Sequence, residues 1–321
     1  MQPRLEELRA YSARWGADPD LVQGAGGNTS LKAGDALTVK ASGMRLADAE
    51  RRDIFVQVDL KAARGVADGG TLPQTTGLRP SIETSLHGIM PQPVVAHLHM
   101  VAAIAFAVRE DAVAALTPRL AGLPWTFVPY SKPGVALAQS LRAQIIEQPS
   151  DIVIMGNHGI VLGGASFAEV DAMVQEVARR LKVDLVAPAE DATALAELAR
   201  RHNLEPARFA SAHWAATDAR NLAYATFGSL YPDHLVFLGR SAGRLDADGP
   251  KASESRLHLA PGVGALLDPG LPDEAHEMAA CLGAVVARID REARLKKLSV
   301  AEEGELLNWD AERYRRELNR N

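Results

Sequence analysis

His97 and His99 stand one residue apart in Pro93-Val94-Val95-Ala96-His97-Leu98-His99-Met100, whose apolar and β-branched residues predict a short buried strand over Val94 to His99. In a strand, side chains at i and i+2 point the same way, about 6–7 Å apart along the chain. Two imidazoles so placed suit one metal ion. The competing reading is a pair of core histidines satisfied by hydrogen bonds; two on one strand face favour the ligand reading. A third imidazole, His158, lies in Gly156-Asn157-His158-Gly159, where a buried strand turns back into Ile160-Val161-Leu162. It is expected exposed at the end of a sheet, where it has no apolar role, so a ligand role is favoured. Three neutral imidazoles leave a tetrahedral Zn²⁺ one open position, as in catalytic sites. Such an ion polarises a carbonyl and stabilises the charge of an enediolate.

Polar turns surround these histidines in the first 190 residues. Gln23-Gly24-Ala25-Gly26-Gly27-Asn28-Thr29-Ser30 lets backbone N–H groups approach a ligand closely, although a tight hairpin is the commoner use of such a turn. It is not a phosphate loop of the nucleotide-binding kind, since no Gly-Lys-Ser/Thr follows. Lys40-Ala41-Ser42-Gly43 ends the next strand with a cation, a hydroxyl and a glycine. Arg79-Pro80-Ser81-Ile82-Glu83-Thr84 opens a helix with Ser81 as its candidate N-cap. Glu83 has two readings, an ordinary carboxylate facing a helix N-terminus or a chemical group. His87, one turn later, is read as a helix-face residue outside the ligand set. Tyr130 follows a strand at Thr126–Pro129.

The elements that must position these groups alternate. A helical pattern over 3–16 precedes strands near 29–32, 36–40 and 54–59; helices follow at 101–108, 111–120, 134–142 and 167–186, with strands between. A soft boundary at 187–194 begins a second portion with a helix at 194–201, strands at 234–239 and 256–259, and a polar loop near 246–254. A helix at 272–289 and a last one at 300–318 complete it. At 321 residues, 47% hydrophobic and 23% charged, the composition is that of a globular protein. A net charge of −5 gives no footprint for nucleic acid or anionic membrane. Cys281 alone supplies neither disulfide nor thiolate site, and the charged N-terminus does not read as a signal peptide. A cytoplasmic protein is expected.

Gly26-Gly27-Asn28-Thr29-Ser30, Ser42-Gly43, Ser81-Ile82-Glu83, His97-Leu98-His99, Pro129-Tyr130 and Asn157-His158-Gly159 resemble, in order, the motifs of the class II aldolase/adducin family. The likeness covers residues 1–190. Arg79–Thr84, with Asn308–Tyr314 in the C-terminal portion, is most similar to the aldolase part of rhamnose-utilisation-type proteins. The resemblance implies a three-layer α/β/α domain over 1–190 with a central, mostly antiparallel sheet; 191–321 is then a smaller α/β extension of unknown role. It implies His97, His99 and His158 as metal ligands, with Zn²⁺ or another divalent ion, and Glu83 as general acid/base. Gly27, Asn28, Ser42, Gly43 and Ser81 are implied to hold a substrate phosphate. Where the family has a second serine before the carboxylate this chain has Ile82, for which Lys40 and Arg79 are the cationic replacements. That leaves a phosphate, a carboxylate or another group open as the anchored anion. The reaction implied is retro-aldol cleavage of a ketose phosphate or similar sugar derivative through a metal-stabilised enediolate. The alternatives are decarboxylation of a 3-oxo sugar-acid phosphate, sugar-phosphate epimerisation, and a non-catalytic adducin-like module. Tyr130 is implied to act in a neighbouring subunit's active site, within a homotetramer.

Overall fold

The computed structural model describes residues 2–72, 77–185, 187–246, 249–250 and 254–307. The expected loop near 246–254 and helix beyond 307 lie partly outside these residues, and the Asn308–Tyr314 segment wholly so. Two compact units divide the chain, Met1–Ala103 with Val113–Leu181, and Ile104–Ala112 with Lys182–Asn321.

In chain order the first elements are α1 (Gln2–Gly16), β1 (Asn28–Ala33), β2 (Ala36–Lys40), β3 (Phe55–Asp59), α2 (Leu60–Gly65) and α3 (Thr84–Ile89). Next come β4 (Val94–Leu98), α4 (Val101–Ala107), α5 (Ala112–Leu116), β5 (Trp125–Val128), α6 (Val135–Glu147), β6 (Ile152–Met155), β7 (Gly159–Gly164) and α7 (Phe167–Arg180). The sheet of the first unit has the order β3-β2-β1-β4-β7-β6-β5, antiparallel throughout except for the parallel pair β5–β6.

Alternation of side chains gives the sheet two faces. On one, Val95 of β4, Val128 of β5, Val153 and Met155 of β6 and Val161 of β7 form a core with Leu86 of α3, Met90 at its end, and Leu137 and Leu141 of α6. On the other, Ser12 of α1 meets Thr29 of β1 at 2.6 Å, and α1 and α7 pack together over β1, β4 and β7. The domain is thus a three-layer α/β/α sandwich. Asn28 is opposite His97 in the β1–β4 register, and His97 is opposite Val161 across β4–β7. Both therefore point towards the α3 side.

The second unit holds α8 (Ala192–His202), β8 (Glu205–Pro206), α9 (Ala210–Thr217), α10 (Ala219–Ala225), α11 (Pro232–Leu238), β9 (Gly243–Asp246) and β10 (Gly249–Pro250). It continues through β11 (Leu257–Ala260), β12 (Gly264–Leu267), α12 (Asp273–Val286) and α13 (Val300–Leu307). Its sheet runs β10-β9-β11-β12-β8, and Leu195, Ala199, Leu245, Ala260 and Leu266 form a core. The expected strand at 234–239 is helix α11. Pro232 occupies its first turn, Asp233 follows, and Gly239 ends it at φ 80°. Every residue of α11 is buried, so the apolar run has no periodicity by which helix and strand differ. The segment 104–112 joins this unit by backbone pairing: the Glu110 N–H donates to Arg294 O at 2.9 Å and the Lys296 N–H to Val108 O at 2.8 Å. No helix among the described residues is long and apolar enough to cross a membrane.

Candidate metal centre and active site

β4 delivers His97 and, one residue past its end, His99; the β6–β7 turn delivers His158. Their ring centroids lie 4.9–5.4 Å apart, and one nitrogen from each falls within 4.8 Å of the others. The His97 and His99 Nε2 atoms are 3.2 Å apart, close to the about 3.3 Å between two nitrogens bound tetrahedrally to one Zn²⁺ at 2.0–2.1 Å. His97 Nδ1–H donates to Ile160 O at 3.1 Å, which leaves the lone pair on Nε2, facing the cluster. His158 is 6% exposed, so the expectation of an exposed histidine is corrected. Its turn, with Asn157 at φ 52°, folds inward against the end of β4 and places the ring beside His97.

Glu83 completes the cluster from the start of α3. Its Oε2 lies 3.3 Å from His97 Nε2 and its Oε1 3.4 Å from His158 Nε2, while Asn28 Nδ2 donates to Oε2 at 2.9 Å. Burial pushes the Glu83 carboxyl up, but the His97 and His158 imidazoles, the Asn28 hydrogen bond and His99 together outweigh it and hold it at about 2. An anionic oxygen pair and three imidazole nitrogens aimed at one buried point form a donor set that fits a divalent cation.

Backbone pairing assembles the candidate anion-binding turns around this point. The Ser42 N–H donates to Arg79 O at 2.8 Å and the Ser81 N–H to Lys40 O at 3.2 Å, joining 40–42 to 79–81. Ser42 and Gly43 are half-buried and Arg79 is exposed. Ser81 accepts from the Glu83 N–H at 3.2 Å, so it turns the chain into α3, although Glu83 itself occupies the cap position. Lys40, expected as a cationic anion ligand, is 2% exposed and donates to Ala25 O at 2.8 Å and Met44 O at 2.6 Å. It ties the glycine loop to the 42–44 turn.

Two glycines in that loop are sterically required. A Cβ at Gly26 would stand 2.8 Å from His99 Nδ1, and one at Gly27, where φ is +59°, would stand 2.9 Å from His97 O. Gln23, which spacing did not single out, donates to Pro19 O at 2.7 Å and His99 O at 3.3 Å and so fixes the loop against the metal strand. Tyr130 is half-buried just past β5, and a Cβ added at Gly156, in the turn that bears His158, would stand 2.9 Å from its backbone nitrogen.

A model of the class II aldolase and adducin N-terminal domain matches residues 7–185, the stretch that carries every one of these groups. The chain belongs to this family. The curated protein "Uncharacterized oxidoreductase YuxG" of Bacillus subtilis (strain 168) is 27% identical over 183 residues, covering 50% of this chain. The match spans only 26% of that relative's length. Among solved structures, the N-terminal class II aldolase domain of a conserved protein from Thermoplasma acidophilum is 24% identical, with a TM-score of 0.49 over 55% of this chain and 91% of that one. L-fuculose-1-phosphate aldolase from Thermus thermophilus is 16% identical, with a TM-score of 0.41 over 56% of this chain and 95% of that one.

Proposed function

We propose that the protein is a zinc-dependent class II aldolase that reversibly cleaves a ketose phosphate or a similar sugar derivative. The observation that carries the reading is the meeting of three buried imidazoles with an ionised carboxylate at one point. His97, His99 and His158 are the residues that would hold the ion. When bound, it supplies Lewis-acid stabilisation of the negative charge that a breaking C–C bond leaves beside a carbonyl.

The chain's own residues supply the rest. Glu83 contends with an incoming hydroxy-carbonyl group for the same point, since its oxygens lie 3.3 and 3.4 Å from ligand nitrogens. A carboxylate displaced from that point is free to take up and return a proton. In cleavage, the hydroxyl of the aldehyde half loses its proton and the C–C bond breaks. The electron pair stays on the carbonyl half, and Glu83 returns a proton to that carbon. Tyr130 handles the proton on the aldehyde oxygen, reaching it from a neighbouring subunit of a homotetramer. Gly27, Asn28, Ser42, Gly43 and Ser81 anchor the anionic end of the substrate with Arg79, and Lys40 holds the turns in place. The reading places the enzyme in the cytoplasm, acting on a small molecule with no nucleic-acid or membrane partner.

The test is elemental analysis followed by a substrate panel. The purified protein should carry a divalent metal that the His97→Ala/His99→Ala double variant lacks. Chelation should abolish turnover, and Zn²⁺, Co²⁺ or Mn²⁺ should restore it. Ketose 1-phosphates should yield an aldehyde and a smaller hydroxy-ketone; release of CO₂ from 3-oxo acid phosphates instead would replace the aldolase reading with a decarboxylase. Inorganic phosphate should compete with substrate.

A further inference from the structure

A buried polar chain runs away from Glu83 into the sheet, and the proposed reaction does not use its far end. Asn28 Nδ2 donates to Glu83 Oε2 at 2.9 Å and to Ser81 Oγ at 3.2 Å. Its Oδ1 is paired with His87 Nε2, and His87 Nδ1 meets Ser30 Oγ at 2.7 Å. Asn28, Ser30, Glu83 and His87 are all buried, at 4%, 0%, 5% and 0% exposure.

The donor inventory leaves one consistent assignment. A carboxylate only accepts, so the amide end facing Glu83 must be the NH₂. The amide oxygen then faces His87, whose Nε2 must carry the hydrogen. Burial holds the His87 ring well below its ordinary value, with His97 and Lys32 adding to the effect, so the ring is neutral and Nδ1 keeps its lone pair. Ser30 therefore donates to it. The alternative is an amide turned end for end, which sets its oxygen against the carboxylate and its NH₂ against an N–H. That arrangement buries two like pairs.

We propose that His87 is a positioning residue: clamped by Ser30, it locks the Asn28 amide in the one orientation that holds Glu83 over the three imidazoles. The proposal deepens the aldolase reading and rests on it for the role of Glu83. The placement follows from the fold. Asn28 and Ser30 are alternate residues of β1 and share its α3-side face, while His87 sits one helical turn after Glu83, over that face.

The experiment uses full-length protein with ¹⁵N-labelled asparagine and follows the Asn28 side-chain NH₂, assigned with Asn28→Asp, by NMR. His87→Leu removes both ring contacts; His87→Gln keeps an N–H donor that reaches the Asn28 oxygen; Ser30→Ala removes the clamp while sparing the ring. Hydrogen exchange of the Asn28 NH₂ should accelerate on the order of tenfold in His87→Leu, less in Ser30→Ala, and little in His87→Gln. Should His87→Leu fail to fold, Ser30→Ala against His87→Gln gives the same contrast. Unchanged exchange in folded His87→Leu or in Ser30→Ala overturns the proposal. So does equal loss in all three variants accompanied by equal falls in melting temperature, which marks a packing role. These readouts need no substrate, so they stand apart from the failure of the aldolase reading. With a substrate in hand, kcat should fall in His87→Leu and recover in His87→Gln.

Discussion

The carboxylate of Glu83 is held against two imidazoles and one amide, so replacing it by an amide of the same shape isolates its charge. Glu83→Gln should lower turnover about 10²–10⁴-fold, the usual worth of a general acid/base, with metal content unchanged in elemental analysis. Turnover like wild type would leave Glu83 a structural carboxylate. Lys32 offers a second single-residue test, one that reads stability. It is 7% exposed, and burial first, then Arg64, lowers its ammonium to about 7. The unfolded chain then binds more protons than the folded one between about 7 and 10.5, so this group adds stability as pH rises through that window and costs most below it. Lys32→Met should remove up to about 1.4 kcal/mol per pH unit from the slope of unfolding free energy between those values. Denaturant melts at pH 6, 8 and 10 measure it, and a parallel pair of curves would contradict it. At this scale, the direction of His97 and His99 was legible because strand alternation admits one answer. His158 was legible as a candidate ligand but not as buried, since a Gly-Asn-His-Gly string does not say which way its turn folds. His87 was legible as standing outside the ligand set, but its bonds to Asn28 and Ser30 were not, since nothing in the sequence says which buried groups a helix-face ring will meet.

Elements place these residues through close approach and capping. Gly26 lies in the loop before β1, where an added methyl would meet the His99 ring at 2.8 Å. Gly26→Ala should push that ring off its nitrogen partners and weaken Co²⁺ binding by tenfold or more, an effect the d–d absorption band reports; equal affinity would show that the loop yields instead. At the start of α7, Ser166 Oγ accepts from the Glu169 N–H at 3.2 Å, and Glu169 Oε2 accepts from the Ala165 N–H at 2.8 Å. Such reciprocal caps are written in the sequence as Ser-x-x-Glu. Ser166→Ala should destabilise the first unit by about 1 kcal/mol, visible as a lower denaturation midpoint with the same slope. The strands around the histidines were legible from their apolar runs. Helix α11 was not, because its run is buried on all sides and only Pro232 and Gly239 mark its ends.

For the whole molecule, the proposed assembly makes the active site a property of the oligomer. Light scattering should give a tetramer. An inactive Tyr130→Phe variant mixed under subunit exchange with an inactive His97→Ala variant should recover part of the activity, because some sites combine one intact metal centre with a neighbour's intact Tyr130. No recovery in demonstrated mixed oligomers would assign Tyr130 to its own chain. From composition and pattern, a soft boundary at 187–194 could be proposed. That residues 104–112 join the later unit could not, because no local signal announces a partner so far along the chain.

That pairing has a consequence in time. On the ribosome, Val108 and Glu110 emerge about 180 residues before Arg294 and Lys296, roughly 10–40 s earlier at usual rates of synthesis. Ile104, Phe106 and Val108, at most 4% exposed in the finished protein, wait through that interval without their late-arriving partners. A nascent chain halted at residue 181 should therefore bind chaperones and aggregate when released. One halted after residue 307 should not, and the order of translation becomes part of how this chain reaches its fold.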